Sequence, residues 1–253
     1  MTRQPVLDFH ARITGGPAPA GRLLAMMDRC GIDRAVVSAG GVLDPDQLSR
    51  QAVQGGEFDG DADNAVVLAA CAASGGRLTP FYFANPHRDS DVYRGDAERF
   101  RGLELSPAVH GIALTDRRTM DLVAVAEEFG HPVYVVCLGR PGVAATDLVE
   151  LATKFPTVTF VLGHCGFTAI DLYALSVVAS QSNVVAETSG CYQFVVRAAL
   201  DRLGVDRVLF GTEFPLQHPA VELAKCQALA LPPSAWAQVA WGNAHRILDE
   251  EER

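Results

Sequence analysis

Two histidines, three glutamates and three cysteines stand at or near the ends of short apolar runs in this 253-residue chain. His10 follows Val6-Leu7-Asp8-Phe9, with Arg12 two residues on; Glu104 sits in Gly102-Leu103-Glu104-Leu105-Ser106; Cys137 closes Val133-Tyr134-Val135-Val136. His164-Cys165-Gly166 ends a fourth run, Glu187-Thr188-Ser189-Gly190-Cys191 a fifth and Thr212-Glu213-Phe214-Pro215 a sixth. Charged groups are costly to bury unless paired, so such a set on apolar segments reads as a site rather than as packing. An imidazole titrates near working pH, which makes His164 and His10 candidate proton carriers. Glu213 and Glu104 are candidate acid/base groups or ion-pair partners. A thiol acts as a nucleophile only beside a base or positive charge, which singles out Cys137 or Cys165 near His164.

The elements that must position these residues follow from the hydrophobic pattern. Eight runs rich in β-branched residues cover 6–10, 34–38, 78–83, 102–106, 132–137, 158–164, 184–188 and 207–213. Between them lies helical periodicity, as in Leu23, Leu24, Met27 and Cys30, or Leu148, Leu151, Ala152 and Phe155. Cys30-Gly31, Phe129-Gly130 and Leu203-Gly204 are helix stops. Nearly continuous apolar strands alternating with amphipathic helices predict an α/β fold with a parallel sheet covered by helices. Eight units in this length predict a single (β/α)8 barrel domain over residues 1–253, its active site at the C-terminal strand ends. A doubly wound open sheet is the alternative, but no GxGxxG follows the first strand. Residues 42–64, polar and rich in Gly and Asp, form a long excursion on or over the mouth.

Composition narrows the function. Lys and Arg number 21 against 30 Asp and Glu, a net charge of −9 with no basic run, which argues against nucleic acid or anionic membrane as a partner. No stretch is apolar enough to span a membrane, and the N-terminus shows no signal-peptide core. Six cysteines without CxxC spacing fit a reducing cytoplasm. The expected partner is a small molecule, and a homodimer is the ordinary form if the chain associates with itself.

Several blocks resemble the amidohydrolase-related barrels, the branch of metal-dependent decarboxylases and hydrolases that includes the aminocarboxymuconate-semialdehyde decarboxylase group. Asp8-Phe9-His10-Ala11-Arg12 sits where that family has DxHxH, and Gly102-Leu103-Glu104-Leu105-Ser106-Pro107 resembles GxKLHP. Leu162-Gly163-His164-Cys165-Gly166 is similar to GHxG, Asp206-Arg207-Val208-Leu209-Phe210-Gly211-Thr212-Glu213-Phe214-Pro215 to DRVLFGTDFP, and Trp241-Gly242-Asn243-Ala244-His245-Arg246-Ile247-Leu248 to the closing GNAxRLL. The resemblance spans nearly the whole chain and implies the barrel. It also implies a metal held by both DxHxH histidines, a strand-5 histidine and the strand-8 aspartate. Here those positions hold His10, Arg12, Val136 with Cys137 beside it, and Glu213, while His164 matches the family's catalytic histidine.

A catalytic zinc site needs about three protein ligands, and His10 and Glu213 supply two. Arg12 puts a permanent cation where a ligand stood, repelling a dication by several kcal/mol even at an effective dielectric of ~20. The expectation is therefore no metal and no other cofactor, with Arg12 paired to Glu213 or Asp8 or clamping a substrate carboxylate. On this reading His10, His164 and Glu213 are catalytic, and Arg12, Glu104 and Cys137 bind substrate. The reaction is then hydrolysis of an activated ester or lactone, or a lyase or cyclisation step, on a small carboxylate-bearing molecule. The alternatives are a metal-dependent hydrolase or decarboxylase using zinc or manganese on His10, Cys137 and Glu213 or on a shifted site, and a ligand-binding relative without turnover. His87 and His110 are loop candidates for lining the pocket, Glu187 leans structural, and His131, His218 and His245 read as structural or surface residues.

Overall fold

The computed structural model describes residues 3–16 and 18–249. Met1, Thr2, Pro17 and residues 250–253 lie outside the described residues; the tail 249–253 reads from the sequence as a solvated end, and all of it but Asp249 falls there. Eight strands form the sheet: β1 (Leu7–Ile13), β2 (Arg34–Ala39), β3 in two pieces (Leu78–Pro80 and Tyr82–Phe83), β4 (Leu103–Leu105), β5 (Val133–Val135), β6 (Phe160–Leu162), β7 (Val184–Glu187) and β8 (Val208–Leu209). All neighbours run parallel. At the break in β3, Phe81 N donates to Val37 O and Tyr82 N to Gly102 O, both at 2.8 Å, so the strand bonds to both neighbours. The sheet closes where Phe9 N donates to Phe210 O at 2.8 Å, Arg12 N donates to Phe214 O at 2.7 Å, and Ala11 pairs with Phe214. This is the predicted (β/α)8 barrel.

The helices are α1 (Pro19–Cys30), α2 (Pro45–Gln54), α3 (Asn64–Ala72), α4 (Ser90–Asp96), α5 (Pro107–His110) and α6 (Arg117–Glu128). They continue with α7 (Ala145–Lys154), α8 (Leu172–Val178), α9 (Gln193–Leu203), α10 (Pro219–Ala228), α11 (Pro233–Ala237) and α12 (Asn243–Ile247). Their starts carry the expected side-chain acceptors: Asp63, Asp89, Asp116 and Asp171 each accept from a first-turn backbone N–H. No helix among the described residues is long and apolar enough to cross a membrane.

Strand periodicity sorts side chains into two layers. Phe160 and Leu162 of β6 join the large cluster between sheet and helices, while Val161 joins an inner cluster with Leu7, Phe9, Val36, Tyr134 and Leu209. Ala244, Ile247 and Leu248 plug the inner cluster, and Asn243 Nδ2 donates to Val205 O and Val208 O at the start of β8. That end is therefore closed, and the mouth lies at the opposite, C-terminal end. In β1 the register to β2 slips between Asp8 and Ala11. One extra residue shifts the alternation, so that Phe9 fills the inner core and both His10 and Arg12 face the mouth.

The excursion after β2 contains α2, begun by a capping box at Asp44 and Gln47. Arg140 Nη1 ties it down by donating to Gln51 O and Ala52 O at 3.3 and 3.1 Å. Residues 59–61 then pack on Asn85, Arg88 and His110.

His131, buried against Tyr93 with Nδ1 2.6 Å from its hydroxyl, yields a pH prediction. Burial, with the charge of Arg101, lowers its pKa to about 4. Between the unfolded value near ~6.5 and that folded value the unfolded chain binds more protons, so stability rises with pH. The contribution is complete above the unfolded pKa and is lost as pH falls toward 4, a loss on the order of 2–3 kcal/mol. Urea titrations of wild type and His131→Asn across that window are expected to diverge, the variant having the flatter profile. Superimposable profiles would remove His131 from the acid response.

Candidate active site

Four strand ends bring an ion network together at the base of the mouth. Arg12 Nε donates to Glu213 Oε1 at 2.7 Å, and Arg12 Nη2 lies 2.8 Å from Glu104 Oε1. Arg12 Nη1 makes longer bonds to Ser38 Oγ and Ala39 O at 3.4 and 3.3 Å. Ser38 Oγ donates to Glu104 Oε2. His10 bridges the two carboxylates: Nδ1 stands 2.5 Å from Glu213 Oε2 and Nε2 3.5 Å from Glu104 Oε2. Burial opposes charging these groups, but mutual attraction prevails. Against burial, Arg12 and His10 hold Glu104 at about 2 and Glu213 well below the carboxylate range. Against burial again, the Glu213 charge raises His10 to about 10.

A third carboxylate organises both histidines. Glu187, fully buried, accepts from Tyr134 Oη at 2.7 Å, Ser189 Oγ at 2.9 Å, Ser189 N at 2.5 Å and His164 N at 3.3 Å. His10 stacks on the Tyr134 ring, with centroids 4.0 Å apart and planes at 20°. His164 Nδ1 lies 2.9 Å from Ser189 Oγ; since that hydroxyl already donates to Glu187, it accepts the Nδ1 proton. The lone pair of neutral His164 is then on Nε2, 3.8 Å from Glu213 Oε2. His164 and Glu213 both hold left-handed backbone, at φ 58° and 56°, a cost concentrated where side chains must be aimed. Glu187 also explains Gly211: a Cβ there would stand 2.1 Å from Glu187 Oε1. Gly211→Ala is expected to cost about 1–3 kcal/mol in denaturant unfolding through this overlap. An unchanged midpoint would show that the carboxylate moves freely.

The structure brings together His10, Arg12, Glu104, His164 and Glu213, and leaves out Cys137. Tyr134 faces the barrel interior, so two-residue alternation turns Val136 to the mouth and Cys137 outward into the helix-facing core, where burial raises its thiol pKa. The expected substrate contact through Cys137, and the ligand set His10, Cys137 and Glu213, are corrected accordingly. Cys165 is buried in the same outer core. Arg12 pairs with Glu213, as one of the two alternatives holds, but its second partner is Glu104. Asp8 instead accepts from Thr212 N at 2.9 Å and from Thr212 Oγ1 at 2.5 Å; burial lifts its pKa to about 7. His110 Nε2 lies 3.0 Å from Gly60 O, and His87 is 3.9 Å from Glu57, so both face the excursion. His218 caps α10 and His245 packs on Trp241.

Sequence reasoning passed over Ser38, Tyr134 and Ser189. Tyr134 carries the one legible signal, as the only residue with a polar tip at an inward position of β5. Above the network opens a cavity of about 360 Å³ with largely apolar walls, among them Leu43 and Leu48 from the excursion, Phe83, Val109 and Val136.

The donor set also fits a divalent cation. His10, His164 and Glu213 each offer a ligand atom, all within 4.8 Å of one another. Both His10 nitrogens and Glu213 Oε2 are buried without an aligned hydrogen-bond partner. Arg12 Nε binds the other oxygen of Glu213, which leaves Oε2 facing the imidazoles. Two imidazoles and a carboxylate are a suitable set for zinc or manganese.

Solved structures with this fold are similar along their whole lengths. The 5-carboxyvanillate decarboxylase LigW of Sphingomonas paucimobilis aligns at TM-score 0.72 and 19% identity, covering 98% of this chain and 100% of that one. A 5-carboxyvanillate decarboxylase of Novosphingobium aromaticivorans, with bound manganese and 3-methoxy-4-hydroxy-5-nitrobenzoic acid, aligns at 0.73 and 15%, covering 97% of each chain. A Pseudomonas putida protein provisionally assigned as a 2-pyrone-4,6-dicarboxylic acid hydrolase aligns at 0.74 and 16%, covering 100% of each. No curated protein sequence matches the chain. The expectation of a site without metal is corrected on two findings: manganese in similar structures, and His164 completing a three-ligand cluster that the sequence reading credits with only two members. The amidohydrolase family model matches residues 7–249, and the chain belongs to that family.

Proposed function

We propose that the chain is a decarboxylase of small ring-bearing carboxylic acids that works with a divalent cation held by His10, His164 and Glu213. The observation that carries this reading is the convergence of those three ligand atoms beneath a cavity with largely apolar walls. A bound cation would supply a Lewis acid for a carboxylate or phenolate oxygen of the substrate. The chain's own residues do the rest. Phe83, Val136 and Leu48 pack the ring and keep water away from it. Ser189 fixes the His164 tautomer, and Tyr134 supports the His10 ring. Arg12, locked between Glu213 and Glu104, holds those two carboxylates in place beside the reacting ring.

Decarboxylation is favoured over hydrolysis by the same pairing. Water attack needs a general base, and both mouth carboxylates are already engaged by Arg12 and His10, which hold them ionised and weakly basic. Loss of carbon dioxide needs no attacking water, only a proton to replace the carboxylate on the ring carbon. The test is to supply the manganese(II)-loaded protein with hydroxybenzoic acids and with a pyrone carboxylate, following carbon dioxide release and ring opening. Carbon dioxide and the phenol are the expected products. Ring opening of the pyrone without carbon dioxide would assign a hydrolase instead.

A further inference from the structure

We propose that the site selects monocarboxylates with an apolar remainder and discriminates against dicarboxylates. The inference rests on the preceding reading and narrows its substrate class. Arg12 is the only Lys or Arg side chain that lines the cavity among the described residues, and its nitrogens are taken by Glu213, Glu104, Ser38 and Ala39. The other polar side chains on the lining are Ser106, His164 and Glu213. Two of these belong to the ligand cluster, which can receive one substrate carboxylate. Around them stand Leu43, Leu48, Phe83, Val109, Val136 and Leu216.

A second carboxylate placed against that wall would lose water and gain no cation, and an unpaired buried charge is among the costliest groups to accommodate. By contrast, 5-carboxyvanillate and 2-pyrone-4,6-dicarboxylic acid, named for two of the similar structures, each carry two carboxyl groups. In this chain the discrimination falls to the residues that surround the ligand cluster. Much of that wall comes from the excursion, through Leu43 and Leu48.

The test is calorimetric binding to the manganese(II)-supplemented protein, with 2-hydroxybenzoate and 2-hydroxybenzene-1,3-dicarboxylate as probes. The monoacid is expected to bind about tenfold tighter or more, the penalty of one poorly paired carboxylate. Leu48→Arg, which puts a cation on the wall, is expected to shrink that ratio to about threefold or less. Equal binding of the two probes to the wild type would overturn the selectivity while leaving the decarboxylase reading in place. Binding of neither probe would overturn the reading and the inference together. An unchanged ratio in a folded Leu48→Arg protein would overturn the role given to the wall.

Discussion

His164→Asn is expected to lower the proposed decarboxylation by about two to four orders of magnitude, the range for losing a positioned catalytic group. Asparagine suits this test because it tolerates left-handed backbone, and His164 sits at φ 58°. The variant should therefore fold with little strain while losing Nε2, the atom 3.8 Å from Glu213 Oε2. Manganese binding should weaken in the same protein, because the cluster falls from three ligands to two. Steady-state rates and metal titration on one sample check both parts. Retained turnover at full metal occupancy would remove His164 from the site. Ser189→Ala, which frees the tautomer and removes one donor from Glu187, should give a smaller loss, about 10- to 100-fold.

Arg12→Met is expected to destabilise the protein by about 3–5 kcal/mol, because it removes the guanidinium that pairs with both buried carboxylates. Glu104 is 1% exposed and the side chain of Glu213 11%, so water cannot replace the lost cation at either. His10 would remain as the only charged partner facing both. Adding Glu104→Gln should restore much of the loss, since the amide removes one stranded charge and keeps its shape. Urea unfolding of the single and double variants measures this coupling. A loss below about 1 kcal/mol for Arg12→Met would mean that the pair behaves as a solvated surface bridge.

Much of this site is legible in the sequence, for physical reasons. Each of the eight β-branched runs overlaps one strand, and parallel packing sends their ends to one mouth. His10, Arg12, Glu104, His164 and Glu213 can therefore be grouped without coordinates. What escapes is finer than a strand. Cys137 lies one residue from the inward position of Val136, and one residue is the whole difference between the mouth and the outer core. The slip in β1 that lets Phe9, His10 and Arg12 all serve the barrel interior leaves no mark in the residue types. Arg12 had several acids within sequence reach, and only the fold decides for Glu213 and Glu104 over Asp8. Metal capacity escapes the sequence because a ligand count taken position by position omits His164, whose Nε2 is turned toward Glu213 by the Ser189 hydroxyl after the next strand. The excursion reads as polar and irregular because α2 buries none of its residues, although Leu43 and Leu48 wall the cavity.

The central claim is that His10, His164 and Glu213 together hold a divalent cation. Crystals grown with manganese(II) and measured at the manganese absorption edge test it most directly. The account predicts an anomalous peak bonded to one atom from each of the three side chains, with Arg12 still on Glu213 Oε1. A mouth with no peak at saturating manganese, or a peak ligated by other residues, would contradict it.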